Sequence, residues 1–136
     1  MTDDDLRHIL TTTRRIAVVG ASNKPERASY EVMQFLIAQG FEVTPVNPGL
    51  AGQTILGRIA VASLADAAPL DMVEIFRNSA DAAAPVDEAI SLGAKTIWMQ
   101  LGVVNEPAAA RAREAGLQVV MDHCPAIEMP RLGLAT

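Results

Sequence analysis

The sequence predicts a doubly wound, mostly parallel α/β sheet with helices on both faces, and three observations predict it. Compact apolar runs alternate with stretches of helical periodicity, the pattern of successive βαβ units. Ile16–Val19 and Val119-Val120 are apolar at consecutive positions, as strands are when both faces of a sheet are covered. Right-handed crossovers then send early strands to one side of the first strand and later strands to the other. That arrangement opens a crevice at the first strand's carboxyl end.

Asp3, Asp4 and Asp5 precede Leu6, Ile9 and Leu10, which predicts a short amphipathic helix with acids at its positive end, laid against the sheet edge. Ile16–Val19 is too short for a helix and rich in branched residues, so it reads as a buried strand ending at Gly20. A helix follows over Ser29–Gln39, burying Val32, Met33, Phe35 and Leu36 and stopping at Gly40. Phe41–Val46 is the second strand, closed by the turn residues Asn47-Pro48-Gly49. Between Leu50 and Leu70 the pattern is weak, with a short third strand at Ile59–Val61 and one helical turn at Ser63–Ala67. Met72–Phe76 is the next strand, and the helix over Ser79–Leu92 is divided by Pro85 and stopped by Gly93. Thr96–Met99 and Leu117–Met121 are the last strands; Asn105 caps the helix between them, with Pro107 in its first turn.

A chain of 136 residues fits one domain, 1–136, so chemistry must share that domain or come from a partner. The net charge is -5 and the cations are scattered, with no basic stripe to follow a phosphate backbone, so no nucleic acid is expected. No apolar run reaches membrane-spanning length, and Met1–Asp5 lacks the basic region of a signal peptide, so no membrane is expected either. A lone cysteine points to a reducing, cytoplasmic setting.

The loop Gly20-Ala21-Ser22-Asn23-Lys24-Pro25-Glu26-Arg27 follows a strand and opens a helix at the predicted crevice. Only the first glycine of a dinucleotide fingerprint is present. Ser22 adds a hydroxyl, Lys24 a point charge and Arg27 a planar fork of donors, a phosphate grip made with side chains beside free helix amides. Taken singly, Gly20 and Ser22 also suit a tight turn and a cap, and Lys24 and Arg27 an ordinary surface. The second strand ends in Val46-Asn47-Pro48, without the acid that usually takes ribose hydroxyls, which lowers NAD. Glu74, within an apolar strand, balances Arg77 or faces solvent at an edge. Trp98 is core or packs on a ligand at the crevice mouth, beside Gln100. His123 and Cys124 form no metal set and no convincing nucleophile and base.

From Ile16-Ala17-Val18-Val19-Gly20-Ala21-Ser22 through Pro45-Val46-Asn47-Pro48, Ile75-Phe76-Arg77-Asn78-Ser79, Gly93–Gly102 and Met121-Asp122-His123-Cys124-Pro125, the chain resembles the small stand-alone CoA-binding domain proteins, relatives of the CoA-binding domain of the succinyl-CoA synthetase alpha subunit. That resemblance implies a Rossmann-like fold and coenzyme A bound through Gly20, Ser22, Pro25 and Arg27, with Asn47-Pro48 and Phe76-Arg77-Asn78 lining the cleft. It implies no catalytic residue here, since the synthetases carry their phosphorylated histidine in another domain, and His123 stands where arginine is usual. The expected function is binding of free or acylated CoA as a carrier, sensor or accessory module, with a protein partner or homo-oligomer supplying any chemistry. The rivals are an NAD- or nucleotide-binding enzyme and a ligand-free interaction subunit. If the pantetheine arm reaches Cys124, a mixed disulfide with CoA is expected under oxidation.

Overall fold

The computed structural model describes residues 1–136. Five parallel strands form the main sheet: β1 (Arg15–Val19), β2 (Glu42–Val46), β5 (Met72–Ile75), β6 (Thr96–Met99) and β7 (Gln118–Val120). Their order is β2-β1-β5-β6-β7, so the chain reverses its direction of growth between β2 and β5. The expected doubly wound, Rossmann-like sheet with helices on both faces is what forms. Between β2 and β5, β3 (Thr54–Ile55) and β4 (Arg58–Ile59) make a separate antiparallel hairpin.

Side chains alternate between two cores, as the pleat requires. Ile16, Val18, Val43, Met72, Trp98 and Val120 face one way. They are covered by α1 (Asp3–Thr12), α2 (Ala28–Ala38) and α5 (Pro125–Arg131). Ala17, Val19, Val46, Val73, Ile75, Ile97, Met99 and Val119 face the other way, under α3 (Ala83–Ser91) and α4 (Glu106–Glu114). Small residues let those two helices sit close, since Ala89, Ala108, Ala109 and Ala112 are fully buried.

Several expectations need correction. Leu6, Ile9 and Leu10 join the core of the α2 face, so α1 lies on a face of the sheet and not against its edge. Phe35 is only partly buried, and Ser29 takes a buried place on α2. The third strand is reduced to one parallel bridge between Val61 and Val46, because Arg58–Ile59 turns back on Thr54–Ile55. Pro85 does not divide its helix: it falls in the first turn of α3, where a missing N–H costs nothing, and the break comes earlier, where a 3-10 turn over Ser79–Ala82 meets α3. Asn105 caps α4 as expected, its Oδ1 accepting from the Ala108 amide at 3.1 Å. The closing helix α5 was not foreseen, since prolines at both of its ends hide its periodicity.

Candidate functional site

The reversal between β1 and β5 places the end of β1 at an open cleft of about 690 Å3. Gly20 turns the chain there with φ of 85°, a left-handed conformation that favours glycine, and a Cβ on it would run into the Phe76 carbonyl oxygen. The amides of Gly20 and Ala21 both donate to the Val46 carbonyl, at 3.1 and 3.4 Å. Asn47 completes the tie: its Nδ2 donates to the Ala21 carbonyl at 2.8 Å, and its Oδ1 accepts from the Gly49 amide at 2.9 Å. The glycine loop is therefore stapled to the end of β2, and Asn47 spends most of its hydrogen-bonding capacity on that staple.

Gly20, Ala21, Ser22, Lys24, Arg27, Asn47, Phe76, Arg77 and Asn78 all line this cleft. Pro48 lines a second cleft of about 670 Å3 on the other side of Gly20, while Pro25 borders neither. Gly20, Asn47, Arg77 and Asp81 are common to both, so the two hollows meet over the end of β1.

Lys24, Arg27 and Arg77 are exposed and none is in an ion pair, although acids outnumber bases in the chain. Ser22 Oγ accepts from the Lys24 amide at 3.1 Å, which shapes the loop and leaves the hydroxyl proton free to donate. Arg27 is the N-cap of α2 without a side-chain cap, and the Ala28 and Ser29 amides carry no hydrogen bond within the chain. Uncommitted cations and helix amides facing one hollow make a site for an anion such as phosphate.

Among the lining residues to which the sequence assigned no binding role, Asp81 and Gln100 carry polar side chains from beyond the central strands. Asp81, in the 3-10 turn six residues past the end of β5, lines both clefts, so an acidic residue borders them although none follows β2. Gln100 follows β6 and is 7 % exposed. The signal for both was their position past the carboxyl end of a central strand.

Glu74 is fully buried in the middle strand and forms no ion pair, so it neither balances Arg77 nor faces solvent. Burial, with a smaller contribution from Cys124, pushes its carboxyl well above the usual carboxylate range. Trp98 is core, and its indole N–H donates to the His123 carbonyl at 2.9 Å. His123 Nδ1 lies 2.6 Å from the Met121 carbonyl and Nε2 lies 3.7 Å from Glu128 Oε1, so its ring is committed to its own loop and to α5. Cys124 is buried at the start of α5 and borders neither cleft, which removes the geometric basis for a mixed disulfide with a ligand there.

The chain is similar to known proteins over nearly its whole length. It is 38% identical over 121 residues to YneT of Bacillus subtilis (strain 168), covering 88% of each chain. A hypothetical protein from Pyrococcus horikoshii OT3 superposes with a TM-score of 0.92 at 40% identity, over 97% of this chain and 92% of that one. A Thermus thermophilus protein does so with a TM-score of 0.91 at 36% identity, over 97% and 99%. The CoA binding domain family matches residues 14–130, both sides of the cleft included, and the chain belongs to that family.

Proposed function

We propose that this protein binds coenzyme A, free or acylated, in the cleft at the end of β1, and acts as a carrier, sensor or accessory module without catalysis of its own. The observation that carries the reading is the gathering of Lys24, Arg27 and Arg77, none of them ion-paired, with the free amides at the start of α2 around one hollow of an acidic protein. The loop grips phosphates and the remaining length of the cleft takes the pantetheine arm. The kinship with the synthetase alpha subunit and a cytoplasmic location belong to the same reading. Calorimetric titration with CoA, acetyl-CoA, NADH and ATP tests it: CoA binds most tightly, and similar affinity for acetyl-CoA means that the thiol end is not read. A protein that prefers NADH or ATP, or binds none of the four, overturns it.

Asp81 favours a second reading, an NADH-binding protein, because a carboxylate at the cleft can take the two hydroxyls of an unphosphorylated ribose. Asp81→Asn separates the two: it weakens NADH binding if the acid holds a ribose, and leaves or improves CoA binding if it merely faces the phosphates. Incubation with labelled acetyl-CoA tests the non-catalytic claim, the expected result being neither protein acylation nor turnover.

A further inference from the structure

Buried polar atoms without partners are rare in folded chains, and each calls for a reason. Here the three such side-chain atoms lie on two residues: both carboxyl oxygens of Glu74, and Oε1 of Gln100. The residues are neighbours. Glu74 pairs with Trp98 across β5 and β6, and Gln100 stands two positions beyond Trp98, on the same face of the sheet. With about 3.3 Å of rise per residue and about 4.8 Å between strands, their Cα atoms lie about 8 Å apart, a span that the two long side chains can close. No other group in the chain bonds to any of these three oxygens.

The chemistry of the pair is complementary. No cation accompanies Glu74, and burial raises its pKa, so the group is a neutral acid with one O–H to donate. Gln100 Oε1 is sealed from solvent, whereas its amide nitrogen has no bond within the chain and is not among the sealed atoms. The nitrogen is therefore the end that reaches the cleft. Leu101 and Val103 follow Gln100 in the chain, Phe76, Arg77, Asn78 and Asp81 line the cleft from the segment after β5, and Lys24 and Arg27 stand on the loop between β1 and α2. The cleft thus offers Lys24, Arg27 and Arg77 to anionic groups and, besides its apolar lining of Phe76, Leu101 and Val103, one uncharged amide donor at Gln100.

We propose that the Glu74 carboxyl donates its O–H to Gln100 Oε1 and so fixes the Gln100 amide to donate into the cleft, where it recognises a carbonyl oxygen on the uncharged arm of a phosphate-bearing ligand. Gln100 is the specificity residue and Glu74 positions it. The inference rests on the CoA reading to the extent that the acceptor is then an amide carbonyl of the pantetheine arm.

The pair has a signature that a structural role lacks. Replacing either residue alone with leucine leaves its partner buried and unpaired, so some stability is lost, but the loss of recognition is confined to ligands that carry the arm. Wild type, Gln100→Leu, Glu74→Leu and Glu74→Gln are melted, then titrated with CoA and with 3′-phospho-ADP, which lacks the arm. Gln100→Leu is expected to lose about tenfold in CoA affinity and to leave 3′-phospho-ADP unchanged, while melting below wild type because Glu74 is left unpaired. Glu74→Leu gives a smaller loss confined to CoA, and Glu74→Gln keeps binding, because its amide can still donate to Gln100. Leucine variants that bind CoA as tightly as wild type, or that lose both ligands equally, overturn the inference and leave the CoA reading standing. A wild type that binds NADH and neither CoA probe overturns the CoA reading alone. NADH against ADP-ribose then decides Gln100, since the nicotinamide carries the carbonyl.

Discussion

At the scale of single residues, the cleft separates charges held for a ligand from charges held for the fold. Arg131 pairs with Asp3 and Glu128, and Asp71 accepts from the Arg14 and Arg15 amides, whereas Arg27 pairs with nothing. Its fork can bridge two phosphate oxygens beside the amides of α2, which a point charge such as Lys24 cannot do. Arg27→Ala is expected to cost about 1.5–3 kcal/mol of CoA binding, a tenfold to hundredfold loss. Arg27→Lys recovers part of it, Lys24→Ala loses less, and the Arg27 effect shrinks as salt rises. Calorimetry at low and high salt measures all three, and an unchanged affinity in folded Arg27→Ala would remove the residue from the site. Glu74 makes a prediction about stability. Its folded carboxyl keeps its proton well above the ordinary value of 4.5, whereas the unfolded chain releases it near that value. Above it the native state therefore binds more protons, and the Glu74 contribution to stability falls by about 1.4 kcal/mol per pH unit until the folded group itself ionises. Glu74→Gln lacks that loss, so its stability margin over wild type should widen as pH rises from 4.5 and close below it. Urea unfolding across the pH range reads the difference, and parallel curves for the two proteins would mean that Glu74 ionises normally.

At the scale of elements, the site depends on how tightly the ends of β1, β2 and β5 are drawn together. Gly20 is the pivot, since its backbone conformation and its closeness to the Phe76 carbonyl both exclude a side chain. Gly20→Ala is expected to cost about 3 kcal/mol and to weaken ligand binding, because the strain falls on the loops that form the cleft. Denaturant unfolding combined with titration checks this, and a variant as stable as wild type would show that β1 and β5 can part without penalty. Asn47 serves the same junction from β2, so its substitution should act by loosening the glycine loop more than by deleting a ligand contact.

At the scale of the whole molecule, α1 lies ahead of the segment that the CoA binding domain family matches, yet it completes the core on the α2 and α5 face. Ile9→Ala should therefore cost about 2–5 kcal/mol, as for a fully buried aliphatic, although Ile9 does not line the cleft. If residues 1–136 form one domain, the chain should also unfold in one step. Trp98, the only tryptophan, is buried on that face, so its fluorescence and the far-ultraviolet circular dichroism should change at the same urea concentration. Separate midpoints would point to two independently folding parts.

The strands β1, β6 and β7 and the capped start of α4 were legible because their causes are local: short branched apolar runs, an Asx cap, and a proline where no N–H is needed. The glycine loop was legible as a wall of the cleft for the same reason, since its lining residues lie close together in the chain. Whatever depends on separated segments meeting was not. Glu74 reads as a charged residue until the sheet order makes β5 the central strand, and Asp81 and Gln100 acquire a role only when the loops after β5 and β6 converge on the cleft. The same holds for Cys124, whose place after a strand suggested the crevice and whose helix carried it into the core. Local pattern determined the class of fold and the place of the glycine loop at the end of β1. Only the tertiary structure decided which side chains are sealed from water and which face the ligand, because burial depends on segments far apart in sequence covering one another.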